Sequence, residues 1–180
     1  MDEFQKIACY MDDIKQKIDP KLPNVDSYSN LMHNLHVVSD QHFRANRFCL
    51  AHEFYYHTIF ILFIIEKTFY CRMDDSYVSS IYCNAALCSL RVENYEVALK
   101  DSNNALKYDA TSLKGTYRKV LSMKGLGDFQ HALVLAREGL KLDASVFDPL
   151  VVELKELVEA KATPFMEEEK KCRRRRRRAR

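Results

Sequence analysis

With 180 residues, 47% of them apolar and 29% charged, the chain has the length and balance of one soluble globular domain with its own core. Nine of its 28 basic residues crowd into the last eleven positions, which leaves 19 basic against 25 acidic residues in the body. The body is therefore net negative, and a broadly basic nucleic-acid-binding surface is excluded there; any cationic site must be local.

The breakers set the fold class. No Gly or Pro occurs between Asn24 and Lys114, a stretch of about ninety residues that argues for helix over a turn-rich β fold. The six cysteines show no C-x-x-C spacing, and Met1-Asp2-Glu3 does not open a signal peptide, so reduced thiols in a cytoplasmic protein are expected.

In chain order, Asp2–Ile18 carries Phe4, Ile7, Met11, Ile14 and Ile18 at helical spacing, and Asp19-Pro20-Lys21-Leu22-Pro23 ends it. A short helix around Tyr28–Val38 completes a lead-in over 1–37. Phe48–Phe69 is long, apolar and helical in character. Its most apolar part, Thr58–Ile65, is too short to span a membrane and reads as a buried helix. Residues 72–78 are expected as a loop. Helices are then expected over Ser79–Val92 and Tyr95–Tyr108, with Asn94 as N-cap. A further pair follows from Leu113, with Gly125-Leu126-Gly127-Asp128 as its turn and Asp128 as cap. Pro149 suits the first turn of a last helix ending near Ala160. Its Leu150, Val151, Leu154, Leu157 and Val158 would cover the end of the stack. From 161 to 180 a disordered basic tail is expected.

An internal period orders this series. Tyr95/Phe129, Ala98/Ala132, Leu99/Leu133, Leu106/Leu140, Asp109/Asp143 and Ala110/Ala144 are each 34 residues apart. This pattern, aromatic-x-x-Ala-Leu followed by Leu-x-x-Asp, resembles the tetratricopeptide repeat, a helix–turn–helix unit that stacks into an all-α solenoid. Three repeats plus a capping helix would occupy 38–160. The first would be a degenerate copy at about 38–71, with His57 or Ile59 in place of the repeat's alanine.

Asn84 and Arg118 are also 34 apart, and Lys114 lies one helical turn before Arg118. Tyr82-Cys83-Asn84-Ala85-Ala86 and Leu113-Lys114-Gly115-Thr116-Tyr117-Arg118 resemble the segments forming the carboxylate clamp of tetratricopeptide co-chaperones, and the third repeat followed by Glu138-Gly139-Leu140-Lys141-Leu142-Asp143-Ala144 is, within that family, most like tetratricopeptide repeat protein four and its yeast relatives. The resemblance implies an adaptor that holds the C-terminal Glu-Glu-Val-Asp of the 90-kDa or 70-kDa heat-shock chaperones. In it Asn84 would hydrogen-bond the terminal carboxylate. Lys114 would pair with that group or the aspartate side chain, and Arg118 would hold an upstream acid or a carbonyl. The chemistry suits the residue types: a guanidinium fork matches a carboxylate, and an ammonium supplies a point charge.

The family's first clamp segment, Lys-x-x-Gly-Asn, has its nearest match in His42-Phe43-Arg44-Ala45-Asn46. Either Asn46 is the Asn, with His42 at the Lys position, or Arg44 is the basic residue and the Asn is lost. A scaffold for another protein segment, or a nucleic-acid contact through the arginine run with a nuclear-import role, are the alternatives. The histidines lack metal-ligand spacing, and neither phosphate loop nor nucleophile elbow is found. No enzyme activity, cofactor or membrane partner is expected.

Overall fold

The computed structural model describes residues 25–70 and 72–178. The helix expected over Asp2–Ile18 lies outside them. Among the described residues there are seven helices and no strand: α1 (Val25–Arg44), α2 (Phe48–Phe69), α3 (Asp75–Arg91), α4 (Tyr95–Tyr108), α5 (Leu113–Gly125), α6 (Phe129–Gly139) and α7 (Ala144–Arg178). Each packs on its successor, and α3 also packs on α5. The chain thus stacks three helix pairs, α1/α2, α3/α4 and α5/α6, each joined by a three-residue turn, with α7 at the end.

The helix starts are set by short polar side chains that take up otherwise unpaired backbone N–H groups. Asn94 accepts from Val97 N and Asp128 from His131 N, as their positions suggest. Asp74 accepts from Ser76 N, so α3 begins at Asp75, within the segment expected as a loop. Asp143 accepts from Ser145 N at 2.9 Å and starts α7 at Ala144. Pro149 consequently sits in the second turn of α7, not the first. The expected boundary between 37 and 38 falls inside α1, because nothing breaks a helix between Val25 and Arg44. At the other end α7 continues to Arg178, through most of the stretch expected as a disordered tail. Glu, Lys and Arg are good helix formers, a propensity that a reading of charge alone overlooks.

Close helix approach is made by one small residue per pair. Ala51, Ala98 and Ala132 stand four residues after the residue preceding their helix, and all three are fully buried. Each follows an aromatic by three residues: Phe48, Tyr95 and Phe129. Ala51, rather than His57 or Ile59, is therefore the alanine of the first repeat. Glycine serves the same purpose at two further seams. A Cβ on Gly125 would stand 2.2 Å from the Tyr95 ring, and one on Gly139 would stand 2.6 Å from the ring of Phe147.

α2 is long and apolar enough to cross a bilayer by length and composition. It is packed between neighbours instead. Ala51, Tyr55, Ile59 and Leu62 join Val78, Ile81 and Tyr82 of α3 in one core cluster, while Phe54, Ile61 and Ile65 join Tyr28 and Leu35 of α1 in another. A polar lock ties α2 to α4: the fully buried carboxylate of Asp101 accepts from the Tyr56 hydroxyl and lies 2.9 Å from His52 Nε2. A buried carboxylate is tolerable only with such partners.

Gly139→Ala tests the close seam. Phe147 is fully buried and has no room to move, so the overlap outweighs the helix propensity gained. Urea unfolding should show a loss of about 1–3 kcal/mol.

Candidate functional site

The first helix of each pair, α1, α3 and α5, carries the candidate side chains. α3 and α5 are in direct contact, and Cys83 Sγ of α3 lies 3.8 Å from Oγ of Ser112, the cap of α5. Gly115 in the first turn of α5 lets Leu106 of α4 come close, where an added Cβ would meet its Cδ2 at 3.1 Å. This fixes the start of the helix that bears Lys114 and Arg118.

Arg118 is the unusual group. Its guanidinium lies against Cys83 and within electrostatic range of Cys88 and Tyr55, and Nη1 is buried with no hydrogen-bond partner among the described residues. Burial holds its pKa below the ordinary arginine value, yet a guanidinium stays charged in any protein setting. A buried donor with nothing to donate to is costly and rare in native folds. Lys114, one turn earlier on the same helix, is exposed and forms no ion pair among the described residues.

Asn84 lies on α3, half-buried, with its amide in hydrogen-bond reach of the Tyr55 hydroxyl. Tyr55 is the hub of this region. Its hydroxyl donates to Asp40 Oδ1 at 2.5 Å, and burial first, then the Asp40 carboxylate, push its pKa well above the usual phenol range. Tyr55 thus has Asn84 in hydrogen-bond reach and Arg118 within electrostatic range. Cys88, one turn beyond Asn84, has its thiol pushed up to about 12 by burial, with Arg118 opposing the rise, and is inert as a nucleophile.

Between α1 and α3 opens a cleft of about 240 Å³ lined by Asp40, Phe43, Arg44, Tyr55, Asn84 and Leu87. Of the residues considered for the first clamp segment, Arg44 lines this cleft. His42 does not: its ring stacks on Phe54 of α2 at 5.1 Å and 7°. Asn46 lies in the α1–α2 turn with φ 57°, a left-handed conformation that Asn tolerates, and is exposed. The structure therefore gathers Asn84, Arg118 and Arg44 toward Tyr55, leaves Lys114 exposed one turn away, and puts His42 and Asn46 elsewhere.

Asp40 and Tyr55 were not among the residues singled out from the sequence. A signal existed. His36-x-x-Ser39-Asp40 has the form basic-x-x-small-Asx, the same as Lys-x-x-Gly-Asn, and Ser39 is fully buried.

No family profile matches the chain. Solved structures align over most of it. The second tetratricopeptide domain of human RPAP3, solved in complex with the HSP70 peptide SGPTIEEVD, superposes with a TM-score of 0.57 at 18% identity, covering 69% of this chain and 98% of that one. The Hsp90 co-chaperone Cns1 from Saccharomyces cerevisiae gives 0.56 at 24% identity, covering 79% of this chain and 46% of that one. The fold is a tetratricopeptide-repeat solenoid. In sequence, this solenoid is 30% identical over 112 residues to human sperm-associated antigen 1, covering 59% of this chain and 12% of that protein. The chain thus spans about one eighth of the length of that relative.

The unpaired guanidinium makes a stability prediction. Replacing Arg118 by Met keeps the packing of the stem and removes a desolvated charge whose Nη1 has no hydrogen-bond partner among the described residues. Thermal unfolding of Arg118→Met should start no lower than in the wild type. A drop of several degrees would mean that the guanidinium supports the fold.

Proposed function

We propose that this solenoid is a protein-interaction adaptor that holds the free C-terminal carboxylate of an acidic peptide, of the kind that ends 70-kDa and 90-kDa heat-shock chaperones, on Arg118, Lys114 and Asn84. The observation that carries the reading is that Asn84 and Arg118 occupy equivalent positions, 34 residues apart, on two first helices in direct contact, with the exposed Lys114 one turn before Arg118. A carboxylate presents its two oxygens to a guanidinium fork, and Nη1, covered and without a hydrogen-bond partner among the described residues, has to turn toward the groove to meet them. Lys114 adds a mobile positive charge one turn away, and the Asn84 amide supplies a neutral donor. The body is otherwise net negative, so attraction for an acidic peptide depends on local cationic groups such as these. The likeness to RPAP3 supports the reading at the level of fold, because that domain was solved with an HSP70 peptide.

The test is a calorimetric titration with a pentapeptide ending Glu-Glu-Val-Asp and with its C-terminal amide. Removing one partner of a desolvated charge pair costs about 2–5 kcal/mol in binding. Arg118→Ala should weaken the free-acid peptide by roughly thirtyfold or more, and Lys114→Ala by less, because Lys114 is exposed. The amide should bind the wild type more weakly than the acid. Equal binding of acid and amide, with no response to Arg118→Ala, would refute the carboxylate as the recognised group.

A further inference from the structure

The cleft beside Asn84 is not built for a second anion. Its floor holds the carboxylate of Asp40, of which Oδ1 is engaged by the Tyr55 hydroxyl at 2.5 Å, with His36 Nε2 at 3.8 Å from the same oxygen. Oδ2 has no hydrogen-bond partner among the described residues, and the side chain is 40% exposed. His36 is itself occupied on its other nitrogen, where Nδ1 lies 3.1 Å from the Tyr77 hydroxyl of α3. Asp40 is therefore held in place from behind, with one acceptor oxygen left over. Phe43 and Leu87 supply apolar wall, Asn84 supplies an amide, and Arg44 stands exposed at the rim one turn beyond Asp40. Solvent reaches and screens both charges, that of Asp40 at 40% exposure and that of Arg44 on the rim.

These features suit a long side chain with an apolar stem and a cationic head. The stem would lie on Phe43 and Leu87, and the head would reach Asp40 Oδ2 and the Asn84 carbonyl oxygen. An acidic side chain in the same space would face the Asp40 carboxylate at close range, a like-charge contact that specific interfaces use to reject wrong partners.

We infer that the α1–α3 cleft is a selectivity pocket in which Asp40, fixed by Tyr55, favours a lysine or arginine of the bound peptide and disfavours a glutamate. The inference rests on the reading of this groove as a peptide site. It separates two parts of that site: a cationic part at Arg118 for the free carboxylate, and an anionic part at Asp40 for an upstream side chain.

The experiment titrates wild type and Asp40→Asn with three peptides, ending Glu-Glu-Val-Asp, Lys-Glu-Val-Asp and Glu-Lys-Val-Asp, each as free acid and as amide. Asparagine keeps an acceptor oxygen for the Tyr55 hydroxyl, and the unfolding temperature of the variant checks that the fold is intact. The wild type should bind one of the lysine peptides at least fivefold more tightly than the parent. Asp40→Asn should erase that preference by strengthening the parent and weakening the lysine peptide. The acid-to-amide ratio reports separately on the carboxylate reading, so either idea can fail while the other stands. A wild type that prefers the parent peptide, or a preference unchanged by Asp40→Asn, overturns the selectivity pocket. So does the absence of binding by every peptide. Should Asp40→Asn not fold, the wild-type preference decides alone.

Discussion

The stack depends on how closely its paired helices can approach, and that is decided by one methyl group per pair. Ala51, Ala98 and Ala132 occupy the same place in α2, α4 and α6, each fully buried. A larger side chain there would push the second helix away from the first. An aromatic three residues earlier fills the space beside each alanine, and glycines at 125 and 139 extend the tight fit to the next helix. With the spacing fixed in this way, the first helices of neighbouring pairs lie side by side, and Asn84 and Arg118 are set at equivalent positions of a common face.

The two later pairs were legible in the sequence because their period is undisturbed. Ala98 and Ala132 are 34 residues apart, and both second helices open with a capping Asn or Asp. Ala51 and Ala98 are 47 apart, and this hid the first pair. The excess lies mainly in α2, with 22 residues against 14 in α4, and in α3, with 17 against 13 in α5. Arg47 before α2 also makes no side-chain cap, so the usual start signal is missing. The hydrophobic run of α2 was readable as a buried helix, but its register was not. From that register follows the place of Asp40, which the expected boundary at 38 and the match of 42–46 to Lys-x-x-Gly-Asn conceal.

The site joins opposite electrostatic demands in a small volume. Arg118 is desolvated and short of acceptors; Asp40 is anchored and has an acceptor oxygen left over. The two form no ion pair with each other: Asp40 is engaged by the Tyr55 hydroxyl, and Arg118 lies against Cys83. The tyrosine, kept protonated by burial and by its acidic neighbour, donates to the aspartate without adding charge. Separation of the two charges by a neutral hydrogen-bonding hub is what leaves each with unused capacity for a ligand.

The lock between α2 and α4 has a mechanical consequence. In a linear stack each layer is held only by its neighbours, so a load applied at the two ends is borne by every seam in series. Parting α2 from α4 would strand the Asp101 carboxylate away from both His52 and Tyr56 before water could replace them. The seam between α4 and α5 holds no comparable buried charge among the described residues. Under tension the molecule should therefore yield there first, with the two N-terminal pairs coming away as one block.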